Sequence, residues 1–104
     1  MIIQQSGSKL PKAFLIGSDS IAIRAMRALA EHKIEIPKQV SIIGFNDITS
    51  AQYVTPSLST VHVSRNAMAR AAFDLLLNEQ FQKRNMVPRK LTIGTSLIIR
   101  DSSI

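Results

Sequence analysis

Two short stretches of this chain place polar side chains directly after an apolar run: Gly17-Ser18-Asp19-Ser20 and Gly44-Phe45-Asn46-Asp47. In open α/β sheets, small molecules bind at the carboxyl ends of the strands, and side chains just beyond such runs project into that crevice. In each stretch the preceding Gly permits a sharp turn or a close approach. If the two runs are adjacent parallel strands, Ser18 and Asn46 come within reach of one small molecule. Asp19 reads either as a helix N-cap or as a ligand contact. Asp47 reads either as a turn-former or as a contact.

No arrangement in the sequence offers catalytic chemistry. His32 sits at the polar end of a helical stretch and His62 stands alone in a short extended one. Neither has a partner at metal-ligand or triad spacing. The glycines at 7, 17, 44 and 94 form neither a dinucleotide fingerprint nor a phosphate loop. The carboxylates are too few and too dispersed to nominate an acid/base pair. With no cysteine, disulfides and thiolate metal sites are excluded. The expectation is a protein that is not an enzyme, with no cofactor and no metal.

The elements that must position these residues follow from periodicity. Ala13-Phe-Leu-Ile-Gly17 is a nearly continuous apolar run, as in a strand buried on both faces. Ser18, Asp19 and Ser20 are all candidate caps of a helix over about 19–33. Its apolar face is Ala22, Ala25, Met26 and Leu29, with Arg27 and Glu31 able to pair on the other side. Val40-Ser-Ile-Ile-Gly-Phe45 is a second strand, and the connection is long enough for a crossover between parallel strands. Asn46 to Ser57 is a polar loop, and Ser59 to Val63 a third strand. Ser64 caps a second helix with an apolar face of Ala69, Ala72, Phe73, Leu76 and Leu77 and an Arg70–Asp74 pair, fading near Lys83. Residues 89–94 and 95–100 read as two short extended pieces. The first residues read as the tail of a helix stopped by Gly7. The class is α/β with a mostly parallel sheet.

At 104 residues, the chain is one small domain or part of a larger one. The net charge of +6 comes from 13 scattered Lys and Arg, and the aromatics do not interleave with them as a stacking platform would. The expected association with DNA is therefore weak, salt-sensitive and independent of sequence. The opening residues lack a signal peptide's basic start and apolar run. No apolar stretch approaches ~18 residues, the length needed to span a bilayer. The expectation is a cytoplasmic protein with no membrane partner.

Four motifs then resemble one known family. Pro11-Lys-Ala-Phe-Leu-Ile-Gly-Ser-Asp-Ser-Ile-Ala22 is similar to "P-T-A-x-x-x-x-[SN]-D-x-x-A". Ile36-Pro-Lys-Gln-Val-Ser-Ile-Ile-Gly-Phe-Asn-Asp47 is similar to "[VI]-P-x-D-[VI]-S-[VI]-[VI]-G-[FY]-D-[DN]". Tyr53-Val-Thr-Pro-Ser-Leu-Ser-Thr-Val61 resembles "Y-x-x-P-P-L-T-T-[VI]", and Leu97-Ile-Ile-Arg-Asp-Ser-Ser103 resembles "L-[VI]-x-R-x-S". These belong, in this order, to the C-terminal part of the effector-binding core of lactose/galactose-repressor transcriptional regulators. The resemblance covers residues 11–103.

It implies a three-layer α/β/α, type I periplasmic-binding-protein-like core, present here in part. Residues 11–63 would belong mainly to the C-terminal subdomain and 64–88 to a helix of the opposite one, with 89–104 as returning strands. The family's helix-turn-helix headpiece has no counterpart in these residues, so operator DNA would be contacted only through a headpiece outside them. A sugar or related metabolite would bind between the subdomains and change operator affinity. A solute-binding module of an uptake system is the competing implication.

Residue by residue, Asn46 falls where most members have an Asp that hydrogen-bonds the effector. Ser18 falls at a cleft-lining position, and Arg65 falls where the lactose repressor has a ring that packs on its sugar. Ile23 and Val54 fall at positions of the dimer contact. A homodimer is implied, with exchange of elements between identical chains as one form it can take. Two departures stand out. An Asn amide donates and accepts where an ionised carboxylate only accepts, and Arg65 makes an anionic effector such as a sugar phosphate conceivable.

Overall fold

The computed structural model describes residues 10–78 and 88–104. The expected helix ending at Gly7 and the fading of the second helix near Lys83 lie outside them. The chain divides into a larger unit, residues 1–62 with 96–104, and a smaller unit, residues 63–95.

The larger unit is built on one sheet. Strand β1 (Ala13–Leu15) leads into helix α1 (Asp19–Glu31), then β2 (Ser41–Asn46), a short 3-10 turn (Thr49–Gln52), β3 (Ser59–His62) and, after the excursion through the smaller unit, β4 (Ser96–Ile98). The spatial order is β1-β2-β3-β4. Strand β1 pairs in parallel with β2, and β2 with β3, whereas β4 runs antiparallel to β3. The expected parallel pair and its connecting helix are present, in a mostly parallel sheet.

Helix α1 forms because its apolar residues recur at helical spacing, and it packs on β2 for the same reason. Ala22, Met26 and Leu29 are buried from the helix, Val40 and Ile42 from β2 and its approach, and Ala51 and Leu58 from the segment that follows. Ala25 is only half-buried, so it stands at the edge of the stripe and not in its centre as the periodicity suggested. The Arg27–Glu31 pair forms at 3.4 Å on the exposed side. Ile23 and Val54 are half-buried and pack against this core.

Burial of β1 on both faces is not realised. In β1 the outer residues Ala13 and Leu15 are exposed and only Phe14 is half-buried. Among the described residues β1 is an edge strand, and α1 covers one sheet face. Leu15 lies level with Ile43, Phe45 with Val61, and Val61 with Leu97, so these side chains share the other face. On that face Leu15 is 73% and Leu97 56% exposed.

The smaller unit contains α2 (Arg65–Leu77). Its N-cap is Ser64, whose hydroxyl accepts from the Ala67 amide at 3.2 Å, as the sequence suggested. The predicted apolar face exists as a pattern, but no α2 residue is buried, and Phe73, Leu76 and Leu77 are exposed. Among the ion pairs of the described residues there is none between Arg70 and Asp74. Of the two extended pieces expected over 89–100, only Ser96–Ile98 is a strand; within 88–95 there is none.

Candidate functional site

The sheet aims two chain segments at one edge. The β1–β2 register runs Leu15 to Ile43. Ser18 lies three residues beyond the end of β1, as the N-cap of α1, and Asn46 is the last residue of β2. Both are half-buried, at the carboxyl ends of adjacent parallel strands. Arg65, the third expected ligand residue, opens α2 in the smaller unit.

Asp19 has a different role from the one its position suggested. Ser18 is the N-cap residue of α1, and no side chain makes a capping hydrogen bond there. Asp19 is fully buried. One of its carboxylate oxygens accepts from the Thr60 hydroxyl at 2.6 Å and the other from the Ile48 amide at 2.9 Å. It thus ties the start of α1 to β3 and to the loop after β2, with the first-turn position adding a favourable helix dipole. A sequence signal for this existed: Asp19, Ala22, Met26 and Leu29 are spaced as one helical stripe, so Asp19 falls on the buried face.

The two glycines also separate. A Cβ at Gly44 would fall on the Asp19 carboxylate and 3.0 Å from the Leu58 side chain, so this Gly permits a close approach. At Gly17 a Cβ would meet nothing within 4 Å, and no such constraint exists.

Asn46 and Asp47 both have positive φ, 116° and 59°. L-residues rarely adopt this region, and Asn and Asp tolerate it best. The turn-forming reading of Asp47 therefore describes its backbone, but its side chain does more. Asp47 accepts from Arg100 at 2.9 Å and pairs with His62 Nδ1 at 2.9 Å. Its amide donates to the Thr60 hydroxyl at 3.3 Å. Arg100 also donates to the Leu58 carbonyl at 2.9 Å. His62, expected to stand alone, has a carboxylate partner that no local spacing reveals. His32 is structural, with Nδ1 2.8 Å from the Ala28 carbonyl of its own helix.

Burial would raise the Asp47 carboxyl, but hydrogen bonds from His62 and Arg100, together with their charges, outweigh it. They hold the group below the usual carboxylate range. A carboxyl depressed in the folded state stabilises above its unfolded value, and that stabilisation is lost as pH falls through the folded value. Between about pH 5 and about pH 2, the Asp47→Asn variant should therefore lose less stability than the unaltered protein. Urea midpoints across that range measure the slope, and parallel slopes would contradict the prediction.

Among the described residues no cluster of His, Cys, Asp and Glu is suited to hold a metal ion, and no helix is long and apolar enough to cross a membrane.

Comparison with known proteins places this geometry. Residues 2–103 match the model of the periplasmic binding protein-like domain. The chain belongs to that family. The HTH-type transcriptional regulator GalR of Lacticaseibacillus casei is 40% identical to this periplasmic-binding-protein-like chain over 102 residues, covering 98% of this chain and 30% of the relative. A LacI-type transcription regulator from Bifidobacterium animalis subsp. lactis has a TM-score of 0.85 at 29% identity, covering 99% of this chain and 36% of that one. A sugar-binding transcriptional regulator of the LacI family from Escherichia coli, solved in complex with phosphate, has a TM-score of 0.71 at 36% identity, covering 89% of this chain and 33% of that one. The resemblance carried by the four motifs holds: these relatives are LacI/GalR-type transcriptional regulators, not enzymes. The periplasmic-binding-protein-like chain spans 30% of the length of the curated relative it matches.

Proposed function

We propose that this chain is the effector-sensing and dimerising part of a sugar- or metabolite-responsive transcriptional repressor. The observation that carries the reading is that Ser18 and Asn46 follow the carboxyl ends of adjacent parallel strands, in a chain whose relatives are regulators. Ser18 and Asn46 line one wall of the effector site, and Arg65 is the third ligand residue that the family resemblance implies. The amide of Asn46 both donates and accepts, which suits a hydroxyl-rich ligand. Arg65 suits an effector with an anionic group, such as a sugar phosphate. The protein binds and signals without catalysis, acts in the cytoplasm, and forms a homodimer to which Ile23 and Val54 contribute. Operator DNA is contacted by a headpiece outside these residues.

The reading over an uptake module rests on the relatives, which are transcriptional regulators. The intact gene discriminates: an upstream helix-turn-helix selects the repressor, and a secretory signal selects the uptake protein. The site itself is tested by calorimetry on the intact protein, titrated with monosaccharides, disaccharides and their phosphates. Asn46→Ala should weaken binding of whichever ligand the unaltered protein takes by about 1–3 kcal/mol. Unchanged affinity would remove Asn46 from the site.

A further inference from the structure

Two consecutive residues with positive φ at the end of a strand are a strained arrangement, and such a turn persists only where its surroundings over-determine it. Here the surroundings are specific. The Asp47 amide is held by Thr60, the Ile48 amide by Asp19, and the Asp47 carboxylate by Arg100 and His62. The Asp47 side chain is 16% exposed and that of Arg100 19%, so their ion pair is partly shielded from solvent. The partners come from three separate parts of the chain. Asp19 opens α1, Thr60 and His62 belong to β3, and Arg100 follows β4.

Two of those partners have a further distinction. His62 is the last residue of the larger unit before the chain enters the smaller one, and β4 is where the chain returns. His62 lies level with Ser96, the first residue of β4. The strained turn that carries Asn46 is therefore fastened to the residue at which the chain leaves the larger unit and to one shortly after the returning strand.

We propose that Asp47 is a positioning residue for the effector site: clamped by Arg100 and His62, it fixes the backbone that sets Asn46 and links that backbone to the segments through which the chain leaves and re-enters the larger unit. The proposal deepens the function given above and rests on Asn46 belonging to the effector site. The fastening itself is a property of this chain that holds whichever ligand binds.

The test reads the turn directly. Amide hydrogen exchange is measured at Asp47 and Ile48 in the intact protein, unaltered and as Arg100→Gln and His62→Gln, both remote from the turn in sequence. Each substitution removes a partner of the Asp47 carboxylate and should speed exchange at these amides, by about tenfold for Arg100→Gln. Amides in the middle of α1 serve as the control and should exchange as before. His62→Gln keeps the test decisive if loss of the Arg100–Leu58 bond loosens the whole unit. Turn exchange unchanged in His62→Gln, or raised only in step with the α1 control in both variants, would overturn the proposal.

Calorimetry with D-galactose, lactose and their phosphates adds the functional arm. Arg100→Gln should weaken binding in the unaltered background and have no added effect beside Asn46→Ala, because both act through one side chain. An equal added loss in the Asn46→Ala background would overturn the positioning role. If Asn46→Ala binds as well as the unaltered protein while the exchange result stands, the effector-site assignment fails and the fastening of the turn does not.

Discussion

Ala22→Asp should severely destabilise the larger unit. Ala22 is fully buried on the face of α1 that packs against β2, beside Met26, Leu29 and Ile42. A carboxylate there would fall in the apolar cluster, one helical turn from the buried carboxylate of Asp19. An uncompensated buried charge costs about 3–5 kcal/mol, a large part of the roughly 5–15 kcal/mol that a domain has in total. Loss of the helical circular-dichroism signal, or expression only as insoluble protein, is the expected result. The same substitution at Ala25 should be milder, because that residue is half-buried and its side chain can turn toward water. Equal damage at the two positions would show that α1 packs differently.

Asp19→Ala should destabilise nearly as much, for an opposite reason. It adds no bad group but strips the partner from two good ones, the Thr60 hydroxyl and the Ile48 amide. Buried donors left without acceptors raise the cost to about 2–4 kcal/mol. Asp19→Asn should cost less, about 1 kcal/mol. Its remaining oxygen can still accept from Ile48, and its amide can donate to the Thr60 oxygen, which has two lone pairs. Chemical denaturation of the three proteins gives the ordering. An Asn variant as unstable as the Ala variant would mean that the negative charge, more than the two hydrogen bonds, holds this position.

These two residues also mark what could be read from the amino acids alone. The strand–helix–strand unit was legible because each piece carries its own local signal: a short apolar run, a stripe at Ala22, Met26 and Leu29, a second apolar run. That order also puts Ser18 and Asn46 beyond the carboxyl ends of adjacent strands. Periodicity identifies an apolar face but not what covers it, so it promised burial for β1 and for Phe73, Leu76 and Leu77 that the described residues do not supply. The polar fastenings were invisible for a different reason. Asp47 meets His62 and Arg100 across long stretches of chain, and Asp19 meets Thr60 likewise. Pairing at that range depends on sheet register, which no local pattern contains. For Asp19 a hint was available in its helical phase, and it was outweighed by the stronger habit of Asp at helix starts.

The antiparallel step in the sheet bears on how the molecule can be cut and rejoined. Residues 63–95 depart after His62 and come back at Ser96, and those two residues are neighbours across a ladder. A segment whose two ends are already side by side can be replaced by a short link that leaves the two strands as they are. The stumps left behind are the arms of a hairpin in register, and an Asn-Gly type I′ turn is the link such arms accept. Joined in that way, β3 and β4 would become a continuous ribbon, and the Asp47–Arg100–His62 fastening would lie wholly within a miniature that keeps one wall of the proposed site and none of the rest.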